Sequence, residues 1–375
     1  MKRKMLSRMS WLLVIVLMLS VMASPIFSAK KEIYIGVSAP LTGDNAEYGE
    51  YFRSATTLAM RHINNAGGIK GAKLKLIIKD SKSDPKEAVL IAQTFCSDSR
   101  VLGVVGDFNS TASMAAATVY NSNGLVQISP TASHPDFTKI GPYIFRAGTT
   151  QAAEGPFLAK WAVSSLGKKR IATIYVNSDW GLVANKYFVE KAKELGANIL
   201  SQEAFIPGDK DFTAIITKIK QQKPDLEFLA TPWADAGLIA SQMAKLNYSP
   251  DLMGPGQLST KALIEMAGPA VEGIKANAIY FVDDPRPIAV KFTNEYRELY
   301  GKDPHDHCAL SYDALNLLAN AIKKAGFNRA AICKALAASK YEGVTGKFSF
   351  DKDRNPIKEF SKVEVRNGKW QVAKK

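Results

Sequence analysis

Two hydrophobic periods alternate along this chain, and they trade places at regular intervals. Short apolar or alternating runs at residues 33–37, 73–79, Val101–Val105 and 125–128 are bounded by Gly, Ser or Asp. Runs of that length and edge chemistry predict strands buried in a sheet. Between them, apolar residues recur three or four apart over 51–66, closed by Gly67-Gly68, and over 85–97, opened by Asp84-Pro85; both are helix signals. A second series continues the alternation: helix 155–166, strand 171–177, helix 181–195, strand 197–205, helix 213–221, strand 226–230 and helix 236–246. Such repetition predicts an α/β fold with parallel sheets covered by helices on both faces. Residues 141–150 separate the two series and read as a crossing segment. After residue 276 the pattern changes to a strand at 277–282, a Pro-rich turn at 283–287 and two long helices at 288–300 and 306–325. Short alternating segments over 346–372, with Asn367-Gly368 as a hairpin turn, predict antiparallel strands.

Chemistry concentrates where two of these strands end. The runs VLGVVGDFNSTAS and GLVQISPTASHP each carry a buried strand into a small, hydroxyl-rich turn. Ser110, Thr111 and Ser113 open a helical stretch that Gly124 closes. A strand end that feeds a helix start presents free backbone N–H groups and hydroxyls to one point, which suits a carboxylate or another small anion. The blander readings are that Ser110 only caps its helix and that Ser133 is a plain turn hydroxyl. No G-x-S-x-G elbow, Walker loop or G-x-G-x-x-G occurs, so the chain is read as a binder and not as an enzyme. His305-Asp306-His307 offers metal-ligand chemistry, but it follows Pro304 at a helix start. Asp306 is therefore expected to be the N-cap, and neither metal nor cofactor is expected.

The first residues carry a different signal. Lys2, Arg3, Lys4 and Arg8 precede an apolar core over 11–23 that ends in Val21-Met22-Ala23. This predicts a cleaved export signal over residues 1–23, with cleavage possible as late as 29. The alternative, a retained anchor, is short of the roughly 20 residues a spanning helix needs. No Cys follows the core, so a lipid anchor is not expected and the product is read as soluble and periplasmic. The formal charge of +14 falls to +10 without the leader, and its Lys and Arg residues are spread along the chain. Solvated surface lysines explain that balance, so no nucleic-acid partner is expected. Cys96, Cys308 and Cys333 are expected to be free thiols. If the last helices pack antiparallel, Cys308 lies roughly 18 Å from Cys333 at about 1.5 Å per residue, beyond the reach of a bridge. The length exceeds what one core usually holds, so two domains are expected.

An ordered set of short motifs spans nearly the whole mature chain. It runs from Ile35-Gly36, Pro40-Leu41-Thr42-Gly43 and Tyr48-Gly49 through Ile63-Asn64-Asn65-Ala66-Gly67-Gly68-Ile69 and Asp84-Pro85. It continues through Gly106 with Ser110, Ile128-Ser129-Pro130 with Ala132-Ser133, and ends at Gly346-Lys347-Phe348-Ser349-Phe350-Asp351. In this order the chain resembles the leucine/isoleucine/valine-binding proteins of ABC transport systems. The resemblance implies a type I periplasmic binding protein: two doubly wound parallel-sheet lobes joined by three crossover strands, closing on a ligand in the cleft. It implies lobe one over 30–148 and 278–343, lobe two over 149–277 and 344–375, with the last crossing near Val344. It implies a carboxylate held by Ser110, Thr131, Ala132 and Ser133, with Tyr48, Trp180 and Trp233 lining the rest. The partners it implies are a small solute and the permease subunits in the inner membrane, with the chain a monomer. A sensor reporting to a membrane receptor and a binder of amides or urea are the alternatives.

The departures from the family bear on specificity. Amino-acid-binding members place lobe-two acids where this chain has Gly254-Pro255-Gly256-Gln257, and at the crossover, where it has Thr149-Thr150. A buried ammonium without a counter-charge costs several kcal/mol. Either Asp235, Asp179 or Glu154 takes over, or the ligand is a branched or aromatic acid without an α-ammonium.

Overall fold

The computed structural model describes residues 32–374. The export signal over 1–23 lies outside the described residues. Among the described residues, no helix is long and apolar enough to cross a membrane.

The first sheet is built from β1 (Glu32–Ala39), β2 (Lys73–Asp80), β3 (Val101–Val105), β4 (Gln127–Ser129) and β5 (Ile144–Arg146), in the order β2-β1-β3-β4-β5. All its pairings are parallel. Residues of β3 and β4 are buried throughout because helices cover both faces. On one face lie α1 (Ala46–Asn65) and the long α10 (Asp306–Ala325); on the other lie α2 (Pro85–Ser97) and α3 (Ser110–Ser122). The crossing segment expected at 141–150 contains β5, a three-residue strand too short to leave a periodic signal.

The second sheet carries β6 (Arg170–Val176), β7 (Asn198–Phe205), β8 (Leu226–Ala230), β9 (Asp251–Gly254) and β10 (Lys275–Ala278), extended by the antiparallel pair β13 (Ser361–Arg366) and β14 (Lys369–Val372). Its order is β14-β13-β10-β9-β8-β6-β7. Asn367 and Gly368 both have positive φ, 54° and 67°, which forms the β13–β14 hairpin turn. The covering helices are α4 (Gln151–Lys160), α5 (Asp179–Glu194), α6 (Thr213–Gln222), α7 (Trp233–Lys245) and α8 (Lys261–Ala267). Helix α4 starts four residues earlier than its apolar spacing suggested, because Thr150 caps it by accepting from the Ala153 amide. That earlier start puts Glu154 in the first turn.

Three segments cross between the lobes, at 147–150, just after Ala278, and near 358–360. The last differs from the expectation of Val344. The α9 (Pro287–Tyr300) and α11 (Arg329–Ala337) helices and the hairpin β11 (Lys340–Gly343) and β12 (Gly346–Ser349) all stay with the first sheet. Tyr341 donates to Asp313 Oδ1 at 3.0 Å, Phe350 packs on Phe145, and Arg354 donates to the carbonyls of Ile144 and Thr138. Phe360 then packs on Phe157 of α4, already in lobe two. The alternating pattern over 346–372 therefore belongs to two separate hairpins. The three cysteines are free; Cys308 and Cys333 are buried and Cys96 is half-buried.

Candidate functional site

The carboxyl ends of both sheets face each other across a cavity of about 430 Å³. Its lobe-one wall is the pair of turns singled out in the sequence. At the first, Gly106 has φ +140°, and a Cβ there would lie 2.2 Å from the Ser38 carbonyl; only glycine lets the chain leave β3 so close to β1. Asn109, not Ser110, caps α3, accepting from the Ala112 amide. Ser110 is thereby freed for the cavity, its Oγ accepting from the His134 amide at 3.3 Å.

The second turn is fixed from below. Ser129 Oγ accepts the Thr131 and Ala132 amides, and Arg146 donates to the carbonyls of Ala132 and His134. Thr131 lines the cavity, but its hydroxyl proton goes to the Phe108 carbonyl at 2.6 Å. Ser133 Oγ accepts from Gln151 Nε2 at 3.2 Å, and the Ser133 N–H has no hydrogen-bond partner among the described residues. The hydroxyl protons of Ser110 and Ser133 and the Ser133 amide thus remain to meet an anion.

The opposite wall holds Glu154, 7 % exposed. Its Oε1 accepts from the Gly256 amide at 3.0 Å and from Asn277 Nδ2 at 2.7 Å; its Oε2 accepts from Gln151 Nε2 at 2.6 Å. Burial pushes its carboxyl above the ordinary range, against those three donors. A carboxylate offers about four acceptor positions, so one remains unfilled among the described residues, and Glu154 lines the cavity. A Cβ at Gly256 would lie 2.9 Å from the Asn277 carbonyl and 3.4 Å from Glu154 Oε1, so glycine keeps this network compact. Gln151 spans the gap between Ser133 of one lobe and Glu154 of the other.

A second carboxylate reaches the cavity from the start of α10. Asp306 Oδ1 lies 2.5 Å from Nδ1 of both His305 and His307. Burial opposes ionisation of Asp306, but the two imidazoles outweigh it and hold the group well below the usual carboxylate range. The helix cap is His305, which accepts from the His307 amide, and Asp306 is the first helical residue instead of the expected N-cap. The ligating atoms of these three side chains fall within 4.8 Å of one another, with Nδ1 of each imidazole held against the Asp306 carboxylate.

Of the residues expected from sequence, Ser110, Thr131, Ser133, Trp180 and Gly256 line the cavity. Four do not. Tyr48 is buried behind the wall, stacked on Phe108 at 4.2 Å, and Phe108 takes the cavity face. Ala132 is buried with both backbone groups spent on Ser129 and Arg146. Thr150 is engaged as the α4 cap while its neighbours Thr149 and Gln151 line the site. Trp233 packs into the apolar clusters of both lobes, and Pro232 faces the ligand space instead. Gln151 and Asn277 carried no sequence signal, since each acts through contacts more than 100 positions away or across the lobes. Asp235 pairs loosely with Lys210, and Asp179 accepts from Thr111 across the lobes at 2.6 Å, which leaves Glu154 as the acid of lobe two facing the cavity.

Comparison with known proteins agrees with this architecture. The family model described as periplasmic binding protein matches residues 32–369. The Leu/Ile/Val-binding protein homolog 1 of Brucella suis is 32 % identical over 334 residues, 88 % of this chain and 89 % of that one. A leucine-, isoleucine-, valine-, threonine- and alanine-binding protein of Pseudomonas aeruginosa is 30 % identical over 336 residues, with 88 % and 89 % covered. The branched-chain amino acid transporter substrate binding protein of Streptococcus pneumoniae, solved with isoleucine, superposes with a TM-score of 0.85 at 30 % identity, covering 92 % of this chain and 99 % of that one. With its two α/β lobes, three crossings and intervening cleft, the chain belongs to the periplasmic binding protein family, among the type I solute-binding proteins of branched-chain amino acid ABC transporters.

Proposed function

We propose that this protein is the extracytoplasmic receptor of an ABC importer and that it binds an α-amino acid with an apolar or aromatic side chain. The ligand carboxylate sits against Ser110 and Ser133 of lobe one, its ammonium against Glu154, and its side chain among Phe108, Trp180 and Leu310. Closure around it creates the surface that the membrane permease reads.

The observation that carries this reading is the charge of the cavity. Its buried ionisable walls are the carboxylates Glu154 and Asp306, beside His307; Lys82 is an exposed residue of the lining. The lobe-two carboxylate Glu154, facing the hydroxyl and amide donors of lobe one, suits a dipolar ligand; Asp306, on the lobe-one side, is already paired with two imidazoles. The acid missing from the Gly256 run is thus supplied by Glu154, whose network includes the Gly256 amide itself. The names of the Pseudomonas and pneumococcal relatives, which concern leucine, isoleucine and similar amino acids, support the same class.

A thermal-shift and calorimetry panel on ligand-stripped mature protein tests it. Ligand at 100 times its dissociation constant adds about 2.7 kcal/mol of stability. Leucine or phenylalanine is expected to raise the melting point, and its deaminated analogue is not. Stabilisation by the deaminated or benzoate-type acids alone would overturn the ammonium assignment.

A further inference from the structure

We propose that Arg146, which touches no ligand, is the positioning residue that makes the lobe-one turn selective for an anionic carboxylate over its neutral carboxamide. The inference rests on the amino-acid reading above and deepens it.

Arg146 is the last residue of β5, in register with Ser129 of β4. It is wholly buried. Its Nη1 donates to the Ala132 carbonyl at 2.8 Å and its Nη2 to the His134 carbonyl at 2.7 Å, and its guanidinium lies over the Phe137 ring at 5.5 Å. Its Nε has no hydrogen-bond partner among the described residues. Among the described residues no carboxylate lies within ion-pair distance of it; Asp136 and Asp351 act on it only from farther away. Burial pushes the guanidinium down to about 9, which still leaves it charged at neutral pH.

A buried cation without an ion pair is costly, by several kcal/mol for a typical ionised group. Structure alone does not require it, since a neutral donor would also satisfy two carbonyls. What the guanidinium does here is geometric and electrostatic at once. Its fork takes the carbonyls of Ala132 and His134, outside the cavity lining. Ser129 takes the amides of Thr131 and Ala132. With those groups held, the Ser133 amide between them is left without an internal partner, beside the Ser110 and Ser133 hydroxyls. The positive charge behind the turn then favours a negative ligand group over a neutral one of the same shape, because field lines in a low-dielectric wall are poorly screened. The nearby carboxyl Asp107 is turned to Ser38 Oγ and the Phe108 amide, on the β1 side of the site.

The test compares leucine and phenylalanine with leucinamide and phenylalaninamide on wild type, Arg146→Lys and Arg146→Met, by calorimetry and competition, with melting points measured alongside. Arg146→Met is expected to weaken the amino acid about 30-fold and the carboxamide no more than about threefold, the loss expected of a buried charge acting on a charged partner. Arg146→Lys, which keeps the charge but not the fork, is expected to fall between. Equal losses for both ligands in a folded variant overturn the proposal and leave Arg146 a structural residue. If Arg146→Met does not fold, Arg146→Lys decides: an unchanged carboxylate-to-carboxamide ratio overturns the proposal. A wild type with no preference for the carboxylate fails both this inference and the amino-acid reading, whereas a wild type with that preference and variants that keep it fails this inference alone.

Discussion

The two walls of the cleft solve the same problem by different means. Lobe one presents backbone amides and serine hydroxyls on two turns whose other polar groups are already spent on Ser129, Asn109 and Arg146. Lobe two presents one buried carboxylate, Glu154, assembled with Gln151, Asn277 and the Gly256 amide from three separate parts of the chain. The first wall is local: strand, turn and helix start lie within a dozen residues each. The second exists only once two crossings and a third strand end have met. A neutral donor set tolerates small changes one bond at a time, while a single buried charge either has its partner or does not.

The largest effect should therefore come from lobe two. Glu154→Gln keeps the shape and removes the charge, and should weaken a bound amino acid by about 3 kcal/mol, roughly a hundredfold, as expected for a buried charge pair losing one partner. Calorimetry with the deaminated analogue should show no such loss; equal losses would mean that Glu154 only supports the fold. The raised carboxyl of Glu154 adds a pH signature. Amino-acid affinity should fall on acidification as Glu154 takes up its proton, and that pH dependence should be absent from Glu154→Gln.

Glu227, in the middle of the second sheet, is the control for that comparison, since it is a lobe-two acid that lies away from the cavity. Burial raises it to about 7 from an ordinary 4.5, and Tyr248 donates to its Oε1 at 2.6 Å. The native state holds this proton when the unfolded chain has lost it, so stability should fall as pH rises from 4.5 to about 7. The decline amounts to about 3 kcal/mol over that window. Thermal unfolding of Glu227→Gln should be flatter across the same range, with ligand affinity unchanged; a parallel pH profile would refute the assignment.

Smaller effects belong to lobe one and to the seam. Ser110→Ala and Ser133→Ala should each cost about 1.5 kcal/mol of binding, near tenfold, from one hydrogen bond to a charged group. The carboxamide analogue should lose less in both. Thr111→Val removes the bond to Asp179 that joins the lobes across the cleft. Both residues are exposed, so the expected loss is about 0.5–1 kcal/mol, read as a severalfold faster ligand release with an unchanged melting point of the empty protein.

Most of the fold was legible because its information is periodic and local. The strands and helices of both series, the hairpin at Asn367-Gly368 and the α/β class follow from apolar spacing and turn residues. What was missed was short or non-local: β5 and β9 are too brief to carry a period, and the third crossing lies after Lys358 because Arg354 and Phe350 anchor the tail to lobe one. The site divided along the same line. Ser110, Thr131 and Ser133 announced themselves as hydroxyls at strand ends, whereas Tyr48 and Trp233 suggested ligand contacts and turned out to pack between and behind the walls.

The sequence by itself determined the alternating elements and the hydroxyl-rich turns at the strand ends, since each depends on residues within one or two turns of chain, and the family, whose short motifs keep their order along the chain. Only the tertiary structure decided which acid faces the ligand space. Glu154, Asp179 and Asp235 are equally acidic as letters. Burial against Asn277, Gln151 and the Gly256 amide is what separates Glu154 from an inter-lobe hydrogen bond at Asp179 and from the half-buried Asp235, whose one cation, Lys210, stands 4.0 Å away, and a carboxylate's role is set by the dielectric and donors around it.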